Sequence, residues 1–159
     1  MTMFPHQLNI TVFDNKSGQG LSRIALKLTL FARRKGNYTI PMVTNSAGEV
    51  YLSAEHVRQS IEDDWELFPM DYESTLEECS QDVEIKICTP EDIRRTVQAM
   101  RMFRSASSIS DELIERFENA ANEQYIPVTA RFNVEENNNI TIGIDSRLQS
   151  NNNPEKLAR

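Results

Sequence analysis

The stretch Ile24-Ala25-Leu26-Lys27-Leu28-Thr29-Leu30-Phe31 decides the fold class. Successive side chains of a β-strand point to opposite faces of the sheet. The leucines at 26, 28 and 30 therefore share one face, and Lys27 and Thr29 lie on the other. This alternation is typical of a strand that covers a hydrophobic core with one face only.

Several other short runs show the same alternation, and turn-forming residues separate them. These runs are Leu8–Val12, Tyr38–Val43, Val50–Leu52 and Val83–Ile87. Pro41 places the second of them at a sheet edge, because proline has no N–H to donate to a neighbouring strand. The sequence therefore predicts a mainly antiparallel β-sandwich.

Three segments carry helix signals instead. Ser53 can cap a helix inserted near 54–66, on which Val57, Ile61 and Trp65 would share a face. Thr89-Pro90-Glu91-Asp92 combines a capping hydroxyl, a first-turn proline and two acids, which favours a helix from Pro90 to Arg104. A second helix is predicted from Asp111 to Gln124.

The last two alternating runs predict a β-hairpin. Ile126 to Val134 alternates without interruption, an Asn-rich turn follows, and Ile140, Ile142 and Ile144 alternate again. The expected fold is thus α+β: residues 1–88 form the sandwich with its inserted helix, 89–145 supply two helices and a hairpin packed on or beside it, and 146–159 form a flexible tail. No βαβ rhythm of a parallel nucleotide-binding sheet is present.

Composition narrows the function classes. The 159 residues carry a net charge of −7, which disfavours binding to the phosphate backbone of nucleic acids. No apolar stretch is long enough to span a bilayer, and the N-terminus lacks the features of a signal peptide. We therefore expect a cytoplasmic protein with no membrane or nucleic-acid partner. Cys79 and Cys88 lack the spacing of a disulfide framework or a zinc site, and no metal or cofactor is predicted.

Residues 8 to 88 resemble the transthyretin-like, or prealbumin-like, β-sandwich, which includes the carboxypeptidase regulatory-like modules. The resemblance is carried by Val12-Phe13-Asp14 with Ser17-Gly18-Gln19-Gly20-Leu21, by Ile24–Leu28, and by Thr44-Asn45-Ser46-Ala47-Gly48-Glu49-Val50. Asn45 stands where this family commonly has aspartate. The resemblance implies a sandwich fold and often a binding or spacer role. One branch, the hydroxyisourate hydrolases, has characteristic His and Arg positions and a Tyr-Arg-Gly-Ser ending, and nothing in this sequence supports that activity.

The densest aromatic and methionine group is Trp65, Phe68, Met70 and Tyr72. If it is exposed, we predict it as an interaction patch; the other interpretation is that it covers one end of the sandwich. His56 and Asp71 are candidates for a ligand site, which would require either of them to line a partly apolar pocket with a perturbed pKa. No catalytic signature is present, so no catalytic residue is assigned.

Two classes of function stay open at this stage. The first is a non-catalytic protein-interaction or structural module, either as a homodimer or as an accessory subunit whose two helices dock to a partner. The alternative is a small-molecule hydrolase or a carbohydrate-binding protein that uses one end of the sandwich. The hydrolase would require His56 or Asp71 to line a concave pocket.

Overall fold

The computed structural model describes residues 7–32, 36–53, 55, 79–103, 111–134 and 138–147. The predicted helix near 54–66 and most of the predicted tail beyond residue 145 lie outside these residues. Within them, no helix is long and apolar enough to cross a membrane.

Two β-sheets and two helices make up the fold, which confirms the α+β prediction. The strands are β1 (Gln7–Asp14), β2 (Ala25–Ala32), β3 (Gly36–Val43), β4 (Glu49–Ser53), β5 (Cys79–Ile87), β6 (Thr129–Asn133) and β7 (Asn139–Ile144). One sheet has the order β4-β1-β7 and the other has the order β3-β2-β5-β6. All strand pairs are antiparallel except β1 and β7, which run parallel.

The core lies between the sheets and is built from the inward side chains of each strand. Leu26, Leu28 and Leu30 are fully buried, as the alternation in β2 predicts, and they pack in one cluster with Ile10 and Ile142 from the opposite sheet. β3 is a sheet edge and contains Pro41, which confirms the position predicted for it. Alternation along a strand is a local signal, and it predicts β2 correctly because Lys27, Thr29 and Phe31 are less buried than the leucines between them.

The last two strands do not form the predicted hairpin. β6 pairs with β5 in the four-stranded sheet, whereas β7 pairs with β1 in the three-stranded sheet. Alternation predicts a strand and its inward face, but it does not select the neighbour. β1 and β5 each offer an open edge, and one strand completes each of them. Both sheets therefore draw strands from either side of residue 88.

The helices are α1 (Pro90–Phe103) and α2 (Asp111–Glu118). They pack against one another, and their apolar side chains form a second cluster with the outward residues Ala25, Val43 and Cys88 of the four-stranded sheet. The cluster's helical members are Val97, Met100, Ile114 and Phe117. The apolar side chains of the two helices in this cluster thus pack on the sheet within this chain.

α2 ends at Glu118, six residues before the predicted end, and a short 3-10 helix follows at Asn122–Gln124. Asn122 explains the difference. Its side chain is 2% exposed, accepts a hydrogen bond from Ala25 N at 2.7 Å and donates to the carbonyls of Ala25 and Cys88, both at 2.8 Å. The backbone must leave the helical path to bring this amide between β2 and the end of β5.

The start of α1 is fixed by reciprocal hydrogen bonds between Thr89 and Asp92. Asp92 N donates to Thr89 Oγ1 at 3.0 Å, and Thr89 N donates to Asp92 Oδ2 at 3.1 Å. Lys86 Nζ lies 3.0 Å from the same carboxylate oxygen. Desolvation tends to raise the pKa of Asp92, but the hydrogen bonds from Thr89 and Lys86 and the Lys86 charge outweigh it and lower the pKa to about 2.

We expect Asp92→Asn to destabilise the protein by about 2 kcal/mol near neutral pH, because each unit of pKa shift corresponds to about 1.4 kcal/mol. The carboxylate's pKa is depressed in the folded state, so its contribution is complete above about pH 4 and is lost as the pH falls toward 2. Urea unfolding of both proteins along a pH series should show the difference shrinking at acid pH. The control Glu115→Gln, at an exposed position in the middle of α2, should stay close to the parent throughout. A pH-independent difference would contradict the assignment.

Candidate interaction surfaces

The residues singled out in the sequence lie outside the described part of the chain. This holds for the predicted patch of Trp65, Phe68, Met70 and Tyr72, and for the candidate ligand residues His56 and Asp71. Both assignments therefore stay predictions. Among the residues that the structure does describe, no group of three or more His, Cys, Asp or Glu side chains could hold a metal ion.

Cys88 is buried beneath the helices and is a free thiol. Burial raises its pKa to about 11, an effect that the positive charge of Lys27 only partly offsets. Because the thiolate is the reactive form of cysteine, this side chain is a packing residue in the folded protein.

One end of the sandwich is held together by polar side chains that serve its turns. Asp14 Oδ1 accepts hydrogen bonds from Lys16 N at 2.7 Å and Ser17 N at 3.3 Å, and Asn15 Nδ2 donates to Asp145 Oδ1 at 3.0 Å. Partial burial, with a smaller contribution from the Asp14 charge, raises the pKa of Tyr125. These contacts explain the turn geometry at this end without a ligand.

The outer face of the three-stranded sheet is polar but nearly uncharged. Its side chains come from alternate positions of β4, β1 and β7, and within these strands Glu49 is the only charged one. The face comprises Glu49, Tyr51, Ser53, Gln7, Asn9, Thr11, Phe13, Asn139, Thr141 and Gly143. Interfaces differ from other protein surface chiefly by few charges and more aromatic residues at their centre.

Side-chain hydrogen bonds within β1, within β4 and between β1 and β7 order this face. Gln7 Nε2 donates to Asn9 Oδ1 at 2.8 Å, and Asn9 Nδ2 donates to Asn139 Oδ1 at 2.9 Å. Tyr51, which is 52% exposed, donates through its hydroxyl to Glu49 Oε1 at 2.7 Å, and this hydrogen bond raises its pKa. The result is a flat surface of pre-arranged amides beside one exposed aromatic ring.

β7 forms one edge of this sheet, and its register shows which main-chain groups point outward. Asn9 N donates to Asn138 O and Asn15 N donates to Ile144 O. The main-chain groups of the even-numbered residues from 138 to 144 therefore point toward β1 and form hydrogen bonds with it. The odd-numbered residues face away from β1, as the hydrogen bond from Ile126 N to Asp145 O confirms at the far end. Thr141 and Gly143 therefore present main-chain groups that have no strand partner among the described residues.

The four sheet edges of the described part differ in how they resist pairing with another chain. β3 contains Pro41, β4 contains Glu49 and β6 contains Arg131. Proline and charged side chains are the usual means of protecting an edge. β7, with the sequence NITIGI, has neither. The lack of proline and of charged residues in this run is visible in the sequence. It was not interpreted as an open edge, because the predicted hairpin paired β7 with β6.

Comparison with protein-family models, with curated proteins and with solved structures found no match for this chain. The surfaces described above therefore have to be interpreted from their own chemistry.

Proposed function

We propose that this protein is a non-catalytic interaction module, built on a transthyretin-like sandwich, that self-associates as a homodimer through the edge of β7 that no described strand covers. The observation that carries the proposal is the contrast between β7 and the other edges. β7 is uncharged and rich in β-branched residues, and its main-chain groups at Thr141 and Gly143 point away from the sheet. Such an edge is a ready template for a further strand.

Two turns support the resemblance to the transthyretin-like family. Asp14 ends β1 and accepts hydrogen bonds from the following turn. Asn45 Oδ1 accepts from Ala47 N at 2.9 Å and from Glu49 N at 3.0 Å, just before β4. These are the positions at which the family's turn pattern was matched in the sequence, and an asparagine oxygen fills the acceptor role of the usual aspartate.

The geometry of β7 also indicates how two copies would pair. A two-fold axis through Thr141 would place β7 antiparallel to the β7 of a second copy and join the two three-stranded sheets into one. The uncharged outer face would continue across the junction with no like charges opposed. Each main-chain hydrogen bond contributes only about 0.5–1.5 kcal/mol net, so we expect a dimer whose population depends on concentration.

Light scattering coupled to size exclusion, at several concentrations, tests the proposal. We expect the parent protein to dimerise and Thr141→Lys to weaken the dimer at least about tenfold. The axis through Thr141 would set the two lysines directly opposite one another, and like charges in that arrangement are destabilising. The matched control is Thr39→Lys, since Thr39 is also exposed on an edge strand, in the other sheet, and lies opposite the uncharged Thr29.

A parent protein that stays monomeric at all concentrations would overturn the proposal. If the parent dimerises and Thr141→Lys leaves the dimer intact, the dimer does not form through the β7 edge. The predicted patch would then be tested by replacing Trp65 and Phe68 with alanine. The alternative function, a small-molecule hydrolase or carbohydrate-binding protein, depends on His56 or Asp71, which lie outside the described residues.

A further inference from the structure

A groove runs along the exposed side of α1, away from the sheet that β7 completes. Its volume is about 490 Å³, within the range of typical ligand sites. The described residues that line it are Ile93, Arg94, Val97, Gln98, Arg101 and Met102 of α1, with Glu118 of α2. Ile93 and Val97 also contact the buried helical cluster, so the apolar floor rests on the packed part of the protein.

Three arginines lie along α1, and only one of them lacks a carboxylate partner within the described part of the chain. Arg95 pairs with Glu91 at 2.8 Å, and Arg101 pairs with Glu118 at 2.6 Å. Arg94 lines the groove and makes no ion pair among the described residues. In a protein of net charge −7, this groove therefore carries an uncompensated positive charge beside an apolar floor.

Met102 adds an exposed apolar rim. It is 67% exposed, and among the described residues it and Tyr51 are the large hydrophobic side chains that remain exposed. Methionine is flexible and polarisable, and it is over-represented on surfaces that adapt to peptide partners. The groove thus offers a cation, an apolar floor and an adaptable apolar side chain along successive turns of one helix.

We propose that this groove binds an acidic amphipathic segment of a partner protein. A carboxylate of the segment would pair with Arg94, and its apolar side chains would lie on Ile93, Val97 and Met102. A partner of this kind matches both halves of the lining, whereas a bare phosphate or a polyanion would use the charge and leave the apolar floor uncovered. This role is separate from self-association through β7, because the groove lies in the helical layer.

Fluorescence anisotropy tests the proposal with a labelled model peptide that repeats Leu-Glu-Glu-Leu-Leu-Glu-Glu. The comparison peptide has lysine at every glutamate position. We expect saturable binding of the acidic peptide to the full-length protein and at least about tenfold weaker binding of the basic one. Arg94→Glu should lower the affinity for the acidic peptide by a similar factor, and Met102→Ser should lower it about threefold.

Arg95→Glu is the matched control, because Arg95 is the next residue on α1, is exposed and lies outside the groove lining. It should leave the affinity within about twofold of the parent. Equal losses from Arg94→Glu and Arg95→Glu would reduce the effect to general electrostatics and overturn the site. Absence of saturable binding, or equal affinity for both peptides, would also overturn it. An unchanged affinity in Met102→Ser would remove the apolar part of the proposal.

Discussion

Asn122→Ala is expected to lower the free energy of unfolding by about 3–5 kcal/mol. The substitution leaves Ala25 N and Cys88 O without the partner that the asparagine amide supplies, whereas Ala25 O keeps the hydrogen bond from Cys88 N at 3.1 Å. Asn122 is 2% exposed, so water does not readily replace those partners. Each buried polar group left unsatisfied costs about 1–3 kcal/mol. Since small domains have a total stability of about 5–15 kcal/mol, the loss is a large share of it.

Urea unfolding followed by circular dichroism measures this effect, and Asn119→Ala is the control. Asn119 is exposed, and its hydrogen bonds among the described residues are made by its main chain. The control should change the stability by less than about 0.5 kcal/mol. A loss below about 1 kcal/mol in Asn122→Ala would show that the amide does not hold β2, β5 and the helical layer together.

Asn122→Asp separates the acceptor from the donors of the same side chain. An aspartate oxygen can still accept from Ala25 N, but a carboxylate cannot donate to the carbonyls of Ala25 and Cys88. It would also set a buried negative charge against two carbonyl oxygens. We therefore expect Asn122→Asp to be at least as destabilising as Asn122→Ala at neutral pH, and to recover stability as the pH is lowered.

The contrast between the strands and Asn122 shows what the sequence can predict here. Leu26, Leu28 and Leu30 were assigned to the core from a two-residue period, which depends only on neighbouring positions. Asn122 bonds Ala25, which lies 97 positions away. Nothing near Asn122 in the sequence indicates that partner, so the helical pattern was extended past Glu118 to Gln124.

The interaction surfaces were missed for a related reason. The strand β7 was predicted with nearly its observed bounds, but its neighbour was not. A hairpin closes a short loop at little entropic cost and is the natural expectation for two adjacent strands. The observed pairing of β7 with β1 depends on the whole sandwich. Likewise, the arginines of α1 are visible in the sequence, but which of them remains unpaired depends on where Glu118 lies.

The turn before β4 gives the second large effect. Gly48→Ala is expected to cost about 3–5 kcal/mol or to prevent folding. Gly48 has a φ of +81°, in the left-handed region that disfavours residues with a Cβ. A Cβ there would lie 2.5 Å from Leu21 N and 2.7 Å from both Gly20 Cα and Val12 O. These are main-chain atoms, which cannot rotate away as a side chain would.

Gly18→Ala is a matched control for the turn, because it separates backbone strain from steric overlap. Gly18 has nearly the same φ, +77°, but a Cβ there would meet nothing within 4 Å. It should therefore lose only the strain of the left-handed conformation, about 1–2 kcal/mol. Urea unfolding should give a clearly lower free energy of unfolding for Gly48→Ala than for Gly18→Ala. Equal losses of stability would mean that the main chain around Leu21 and Val12 shifts at little cost to accommodate the methyl group. The turn would then pack less tightly against β1 than the 2.8 Å hydrogen bond from Val12 N to Gly48 O implies.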